Sequence, residues 1–481
     1  MRTWNPASAS GAVDTTGRPA SDASIAPALL VAFGLLSAGG AGWLAVTVHT
    51  DVPLVLAAGF VVVDATSRLF LLLVNAIFLG VATYVWSRVR SEPSLAQTIG
   101  RYAAFAVLFV ATSNLAVLSN HLIVMWALLE LTTLAAVPLI QHGGGDSVLL
   151  VSWKYFLFSS VGLALVSLGL VFVARAGGCT GHGEFSYFIV DLVTCEMRGG
   201  VWQKLGVLLL LLGLGTKLGL APMYSWLPDT YEAAPPATTA LLGAIQFNVA
   251  LVYLLRVMQA FRSIDPALVR GTLLGMGLAT MAVSALHTVA ATKYKRLIAY
   301  AALNHGGVIA VGLALGGDTA YGVILYAVSN AFIKAILFLT AGKIRSHYQT
   351  DDIREVGGLI KDLPYSGAFF MVGVFALLGL PPFGSFLGEL IILSGLIRGG
   401  FISVFSAFCV ILTVTFVATG RAVFPMIWGE SKKRVNWASQ PLTSVLPKLL
   451  FFCALVAMGL YLPPSVNALF RQVAAGLGVS R

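Results

Sequence analysis

The sequence predicts an all-α polytopic membrane protein with about 13 transmembrane helices, two of them broken. Three observations carry this expectation. Charged residues are 10% of the 481-residue chain and hydrophobic residues 58%, against roughly 25% charged in a soluble domain. Apolar runs long enough to cross a bilayer, about 20 residues each, recur along almost the whole length. Two of those runs are interrupted by Pro and Gly at matching places. So apolar a chain lacks the polar groups to cover a water-facing surface, and disordered, collagenous and disulfide-scaffold classes are excluded with the soluble one. The net charge of +10 reads as cationic loops facing anionic lipid, not as a nucleic-acid site.

In chain order, residues 1–26 are polar and rich in Ser, Ala and Thr, and read as a disordered leader. The N-terminal helices occupy 27–100, with spans near 27–48 and 68–88. The first is too long for a signal-peptide core and stays as an anchor. A first half covers 101–257, with spans near 101–118, 120–140, 153–174, 205–226 and 236–257. A second covers 268–424, with spans near 268–290, 296–315, 320–342, 366–397 and 401–424. Residues 425–481 read as a cytoplasmic loop and a C-terminal helix near 446–464.

The run 205–226 carries Lys217 and then Pro222, and the run 366–397 is interrupted by GLPPFGSFLGE. Both read as discontinuous helices, whose freed backbone groups must line protein or water. Pro222 and Pro381 are 159 residues apart, five spans on, and an odd offset inverts the corresponding helices. Paired breaks of this kind point to an inverted-repeat transporter; the plainer reading is that each Pro kinks a packing helix. About twice as many Lys and Arg fall on the cytoplasmic side when the N-terminus is placed inside. The odd span count then puts the C-terminus outside.

A charge at the bilayer centre is costly, so intramembrane ionisable groups are functional candidates by default. Glu130 lies about 15 Å from either end of its span at 1.5 Å per residue. Lys217 lies mid-span before the first break, Lys334 lies mid-span, and Glu389 follows the second break. His305 sits mid-span and His287 in the span before it. Burial and pairing act on these groups in opposite senses, which leaves a Glu–Lys pair near a proton switch point. The plainer reading is static ion pairs that lock helices together. Asp229 and Arg256, at span edges, are expected to position the broken helix. Asp64 and Arg68 have the spacing of a surface pair, and Lys154 reads as an interfacial anchor. Lys293, Lys295 and Arg296 read first as a cytoplasmic stop signal and second as a surface for an acidic partner.

The four cysteines form no CxxC pair and no Cys/His cluster with metal spacing, so neither a metal nor a cofactor is expected in this chain. Cys179 and Cys195 share the one loop expected outside, which makes a disulfide or two isolated thiols the alternatives there.

Taken together, WALLELTTL, KYFLFSSVGLAL, GTKLGLAPMYSWLPDTYEAAPP, KRLIAYAALNHGG, SNAFIKAILFLTAG and GLPPFGSFLGELIIL resemble the antiporter-like, proton-translocating subunits of respiratory complex I. Relatives occur in Mrp-type sodium/proton antiporters and membrane-bound hydrogenases, and ELTTLA with an acid after GLPPFG resembles the hydrogenase-4 F-type subunit. The resemblance implies two inverted five-helix repeats, each with a broken helix, joined by a hydrophilic axis at mid-membrane. It implies that Glu130 and Lys217 form the first pair, that His305 and Lys334 hold the central axis, and that Glu389 is the exit residue. Asn248 stands where the family usually has Lys or His, and it cannot carry the charge; water or His305 then fills the link. The expected function is proton translocation in a complex I-like or hydrogenase-4-like assembly, with redox centres in other subunits. A sodium/proton antiporter subunit, the membrane subunit of a bicarbonate-accumulating complex and a purely structural anchor are the rivals. The expected partners are membrane and peripheral subunits, lipid, and protons or sodium. The expected location is a bacterial inner membrane, with the N-terminus cytoplasmic and the C-terminus periplasmic.

Overall fold

The computed structural model describes residues 22–48, 53–92, 95–175, 185–195, 197, 199–317, 319–431 and 441–477. Most of the expected leader lies outside them. The chain folds as α1 (Asp22–Thr47), a β1–β2 hairpin (Leu54–Leu56, Val61–Val63), α2 (Ala65–Ser91), α3 (Ala96–Leu118), α4 (Leu122–Gln141) and α5 (Asp146–Arg175). A short α6 (Ile189–Val193) precedes α7 (Val201–Lys217) and α8 (Trp226–Ala233). Next, α9 (Pro236–Ala240) and α10 (Phe247–Ala260) are joined through a π-helical turn, Leu241–Gln246. The second half holds α11 (Pro266–Val289), α12 (Tyr294–Leu315), α13 (Thr319–Tyr348), α14 (Leu359–Asp362), α15 (Pro364–Leu377), α16 (Gly384–Arg398) and α17 (Ile402–Trp428). Two helices close the chain, α18 (Leu442–Leu460) and α19 (Pro464–Leu477).

Helix starts follow local chemistry. The Asp64 carboxylate accepts from the Ser67 N–H at 2.9 Å and caps α2. Asp265 accepts from the Leu268 N–H at 3.1 Å at the start of α11, where Pro266 occupies the first helical position. Among the described residues, eleven uninterrupted helices are long and apolar enough to cross a membrane. At the remaining two expected spans, 205–226 and 366–397, the structure has pairs of shorter helices, α7 with α8 and α15 with α16.

Three spans form the centre. Over their most apolar stretches α12 and α13 are fully buried and the run Pro236–Ala260 is 94% buried, against 17% for α1 and α17. A helix enclosed on every side can carry polar groups only where they meet protein or internal water. These three spans carry Asn248, His305 and Lys334. Small residues set the spacing around them. A Cβ on Gly169 of α5 would lie 2.7 Å from the Gly206 carbonyl of α7, so the two backbones pass in direct contact.

Two elements differ from the sequence expectation. The β1–β2 hairpin pairs Leu54 with Val63 and is too short to register as a periodic signal. The C-terminal region has a second helix, α19, which is amphipathic and lies against α2, α10 and α13. Its Asn467 accepts from the Tyr321 hydroxyl at 2.9 Å, and its Gly476 carbonyl from Gln259 at 3.2 Å. Cys195 is disulfide-bonded, as the expected bridge requires; its expected partner Cys179 lies outside the described residues.

Candidate functional site

The two helix breaks have the same construction. At the end of α7 the Leu220 N–H donates to the Gly215 carbonyl at 2.7 Å, and the Gly219 N–H to the Thr216 carbonyl at 3.1 Å. At the end of α15 the Leu380 N–H donates to Phe375 at 3.1 Å and the Gly379 N–H to Ala376 at 3.2 Å. Each is a Schellman stop with glycine in the left-handed region, Gly219 at φ +73° and Gly379 at φ +66°. One freed carbonyl in each break is taken by a side chain of the helix that follows. Trp226 Nε1 donates to Thr216 at 2.9 Å, and Ser385 Oγ to Ala376 at 2.8 Å. Leu-Gly-Leu-Ala-Pro and Leu-Gly-Leu-Pro-Pro thus superpose at an offset of 160 residues. This sets Pro222 opposite Pro382 and corrects the expected match to Pro381 by one residue. Lys217 is the last residue of α7, at the break itself, where a cation meets the negative end of the helix.

Glu130 of α4 accepts a hydrogen bond from Ser160 Oγ at 2.7 Å, and its second oxygen is buried without a partner. Lys217 Nζ donates to the hydroxyl of Thr133, one turn along α4 from Glu130, and stands 5.2 Å from the centre of the Tyr155 ring. The expected direct Glu130–Lys217 pair is therefore absent: a threonine occupies the lysine, and the carboxylate lies a helical turn away. The Tyr155 hydroxyl and the Gln246 amide exchange two bonds, at 2.9 and 2.7 Å. Gln246 ends the π-turn, a device common at functional sites.

Beyond that turn, Asn248 spends its amide N–H on the Ala244 carbonyl at 2.7 Å, and its Oδ1 is buried without a partner. The neighbouring Phe247 ring lies 3.8 Å from Lys334 Nζ. Lys334 is 1% exposed and makes no ion pair among the described residues, so the ring face is its closest electrostatic partner. One turn before it on α13, both amide atoms of Asn330 are buried without partners. His305 Nε2 donates to the Leu377 carbonyl at 3.1 Å, another group freed at the second break. Its Nδ1 is buried and unpartnered, and its ring meets Tyr326 edge-on at 5.5 Å. His305, Asn304, Tyr326 and Glu389 line one partly open cavity of about 260 Å³ that reaches Thr413 and Thr415 of α17. The Glu389 carboxylate rests against the break: a Cβ on Gly379 would lie 2.7 Å from its Oε2.

Other expected residues are placed differently. Asp229 of α8 holds Lys154 at 2.5 Å and Arg296 at 2.9 Å, so it ties the broken helix to α5 and α12, and Lys154 is no simple interfacial anchor. Glu232 pairs with Lys293 at 2.7 Å and Arg296 at 3.3 Å, while Lys295 donates to the Glu232 carbonyl at 2.5 Å. The basic segment at 293–296 is thus engaged within the chain. Arg256 does not reach the broken helix; it grips Asp64 through both guanidinium nitrogens, at 2.5 and 2.8 Å. This also corrects the expected Asp64–Arg68 pair, since Arg68 instead donates to the Val48 carbonyl and to Gln472 at 3.0 Å. Burial alone would raise the Asp64 carboxyl, but the Arg256 guanidinium overrides it and holds it at about 2. His287 is exposed, with Nδ1 2.9 Å from the Val283 carbonyl and its ring 4.9 Å from Tyr300, so it lies off the central row.

What unites the central row is orphaned polarity in an enclosed place: Glu130, Asn248, His305 and Asn330 each keep a buried atom that no described protein group satisfies. Native proteins leave such atoms rarely, and internal water is the usual reason. Carboxylate, amine, imidazole and amide groups spaced by hydroxyls and water can pass protons without covalent chemistry. Sequence reasoning missed Thr133, Tyr155, Ser160, Gln246 and Tyr326; Tyr155 and Ser160 lie within KYFLFSSVG, already a distinctive segment.

Residues 119–415 match the family described as NADH:quinone oxidoreductase/Mrp antiporter, TM. The chain is 31% identical over 431 residues to the hydrogenase-4 component F homolog of Methylacidiphilum infernorum, covering 86% of this chain and 88% of that one. It is 29% identical to a Na(+)/H(+) antiporter subunit of Bacillus subtilis, over 69% of this chain and 66% of the relative. A chain of the archaeal membrane-bound sulfane sulfur reductase shares the fold, with a TM-score of 0.83 at 21% identity over 95% of both chains. The motif resemblance and the fold agree, and the chain belongs to the NADH:quinone oxidoreductase/Mrp antiporter family of membrane proteins.

Proposed function

We propose that this chain is a proton-translocating subunit of a multi-subunit complex I-like or hydrogenase-4-like membrane assembly. Protons move along Glu130, Lys217, Lys334, His305 and Glu389. The observation that carries this is the set of unpartnered buried polar groups, Glu130, Asn248, His305 and Asn330, on the enclosed helices around the two breaks. Protonating Glu130 removes its field from Lys217, which sits on Thr133; Tyr155 and Gln246 then link the lysine to the π-turn, Phe247 only positions Lys334 beside it, and internal water carries the proton across. Asn248 holds water with its free Oδ1, where its relatives' usual charge is missing. Glu389, in the partly open cavity, exchanges protons with the surface.

The names of relatives as subunits and components support partner chains, to which we assign any redox centres. We place the protein in a bacterial inner membrane, N-terminus in the cytoplasm and C-terminus in the periplasm, from the distribution of Lys and Arg. A sodium/proton antiporter subunit is the second reading, favoured by the antiporter relative. The test is Glu389→Gln in the assembled complex in sealed vesicles. The expected result is intact assembly with proton uptake reduced at least tenfold, whether or not sodium is present. Normal uptake by the assembled variant removes Glu389 from the path, and uptake that requires sodium selects the second reading.

A further inference from the structure

One buried cation lies outside the row just described. Lys448 of α18 is 0% exposed, and its Nζ has no hydrogen-bond partner among the described residues. Its Nζ stands 5.6 Å from the centre of the Phe369 ring. The helices packed chiefly against α18 are α2, α13, α15 and α16. Their sequences contain a single acid, Glu389 of α16. That residue belongs to the opposite end of α18, because Gly384 of α16 packs on Met458, ten residues beyond Lys448 and so about 15 Å along the helix. The charged residues of α2 and α13 are all basic, and α15 has only Tyr365 as a titratable group. An ammonium at Lys448 therefore meets like charge and, among the described residues, no counter-ion, and intramembrane charges of this kind are functional candidates.

The facing surface of α13 explains what the lysine serves. Ser329 meets Met458, and Phe332 meets Phe451, so α18 runs antiparallel to α13. Continuing that stripe at helical spacing, 332, 336, 340 and 343, brings Thr340 and then Lys343 to the level of Lys448. The Thr340 hydroxyl is likewise buried without a partner. Thr340 is six residues from Lys334, about 9 Å along the helix and about 120° around it, so water between them must pass around α13. Thr340 thus lies on the α13 stripe that continues toward the Lys448 end of α18, and each of the two residues keeps a buried polar atom with no partner among the described residues.

We propose that Lys448 is a further proton-relay residue, which loads Lys334 from the cytoplasmic side through water held at Thr340. The proposal deepens the proton-translocation reading and rests on it. The proton taken by the Lys448 amine passes along that water to Lys334, and the amine is reloaded from the cytoplasm, so no other co-reactant is needed.

The test uses the full chain in its assembled complex and two independent readouts. First, Lys448→Cys, in a background with Cys409→Ser and Cys453→Ser, is treated with a membrane-impermeant thiol reagent from the cytoplasmic side. Labelling at least tenfold faster than at Leu455→Cys, an equally buried position on the same helix, is expected from a hydrated seam. Second, proton uptake is measured for Lys448→Met, Lys448→His and Lys448→Arg. The expected order is a tenfold or greater loss in Met and Arg, with recovery in His, because imidazole exchanges protons and guanidinium does not. No labelling, normal uptake in Met, or full rescue by Arg overturns the proposal, the last marking a static cation. Lys334→Met serves as the control: if that variant pumps normally, the axis reading itself fails, while the labelling still decides whether the seam exists.

Discussion

Removing the carboxylate that holds Arg256 gives the sharpest stability test. Arg256 is 4% exposed at its side chain and Asp64 21%, and the two meet through both guanidinium nitrogens. Asp64→Asn leaves the guanidinium enclosed without a counter-charge. Two routes bound the effect. The carboxyl falls from 3.8 to about 2, and at about 1.4 kcal/mol per unit that is on the order of 2 kcal/mol of linkage. Breaking one side of a buried pair elsewhere removes about 3–5 kcal/mol, an upper bound for a partner that keeps some solvent contact. The expected loss at pH 7 is thus about 2–4 kcal/mol. The sign with pH follows from the lowered value. The stabilisation is complete above 3.8 and fades as the pH falls toward 2, so wild type converges on the variant in acid. Thermal unfolding of the purified full-length chain in detergent, across that range, reads both effects. Adding Arg256→Met to Asp64→Asn removes the stranded cation and recovers part of the loss. A single variant within about 0.5 kcal/mol of wild type at pH 7, the range of an ordinary surface change, refutes the reasoning.

Thr133→Val removes the hydroxyl that receives Lys217 while keeping its volume; assembly is expected to survive and proton uptake to drop several-fold, as measured in sealed vesicles. Gly379→Ala places a Cβ 2.7 Å from Glu389 Oε2 at φ +66°, which is expected to destabilise by about 1–2 kcal/mol or more; equal thermal midpoints for variant and wild type contradict this. Reporter fusions in the loops at 89–100 and 344–363 are expected to read cytoplasmic and those at 175–204 periplasmic, and a cytoplasmic signal from the last inverts the proposed orientation.

The spans, the breaks and the intramembrane charges were legible because each is written along one dimension. Hydropathy marks a crossing, Pro and Gly mark an interruption, and Glu130 or Lys334 is conspicuous in an apolar run. Partnership was not legible. Asp64 has Arg68 four residues on, yet binds Arg256, which lies 192 residues away in sequence. Only the packing of α2 against α10 decides between them. Thr133 between Glu130 and Lys217 is a difference of one helical turn, below what spacing can resolve. The shift from Pro381 to Pro382 was readable in principle: aligning on the Leu-Gly-Leu stop, which has a structural job, outperforms aligning on whichever proline comes first. α19 escaped because its amphipathic pattern follows a stronger hydropathic signal, and the 293–296 cluster because charge composition does not say where its counter-charges fold.

The constant offset between the breaks gives the molecule an internal comparison. The position of Asp229 in the first half is that of Glu389 in the second, 160 residues later. Asp229 is clamped by two cations from two other helices, whereas Glu389 has no ion pair among the described residues and borders a cavity. Equivalent positions in the two halves thus hold a fixed tie in one and a carboxyl without an ion pair among the described residues in the other. Exchanging their surroundings, by removing Lys154 and Arg296 from one or supplying a lysine to the other, asks whether mobility of charge belongs to the residue or to its setting. Few proteins let that question be posed twice in the same chain.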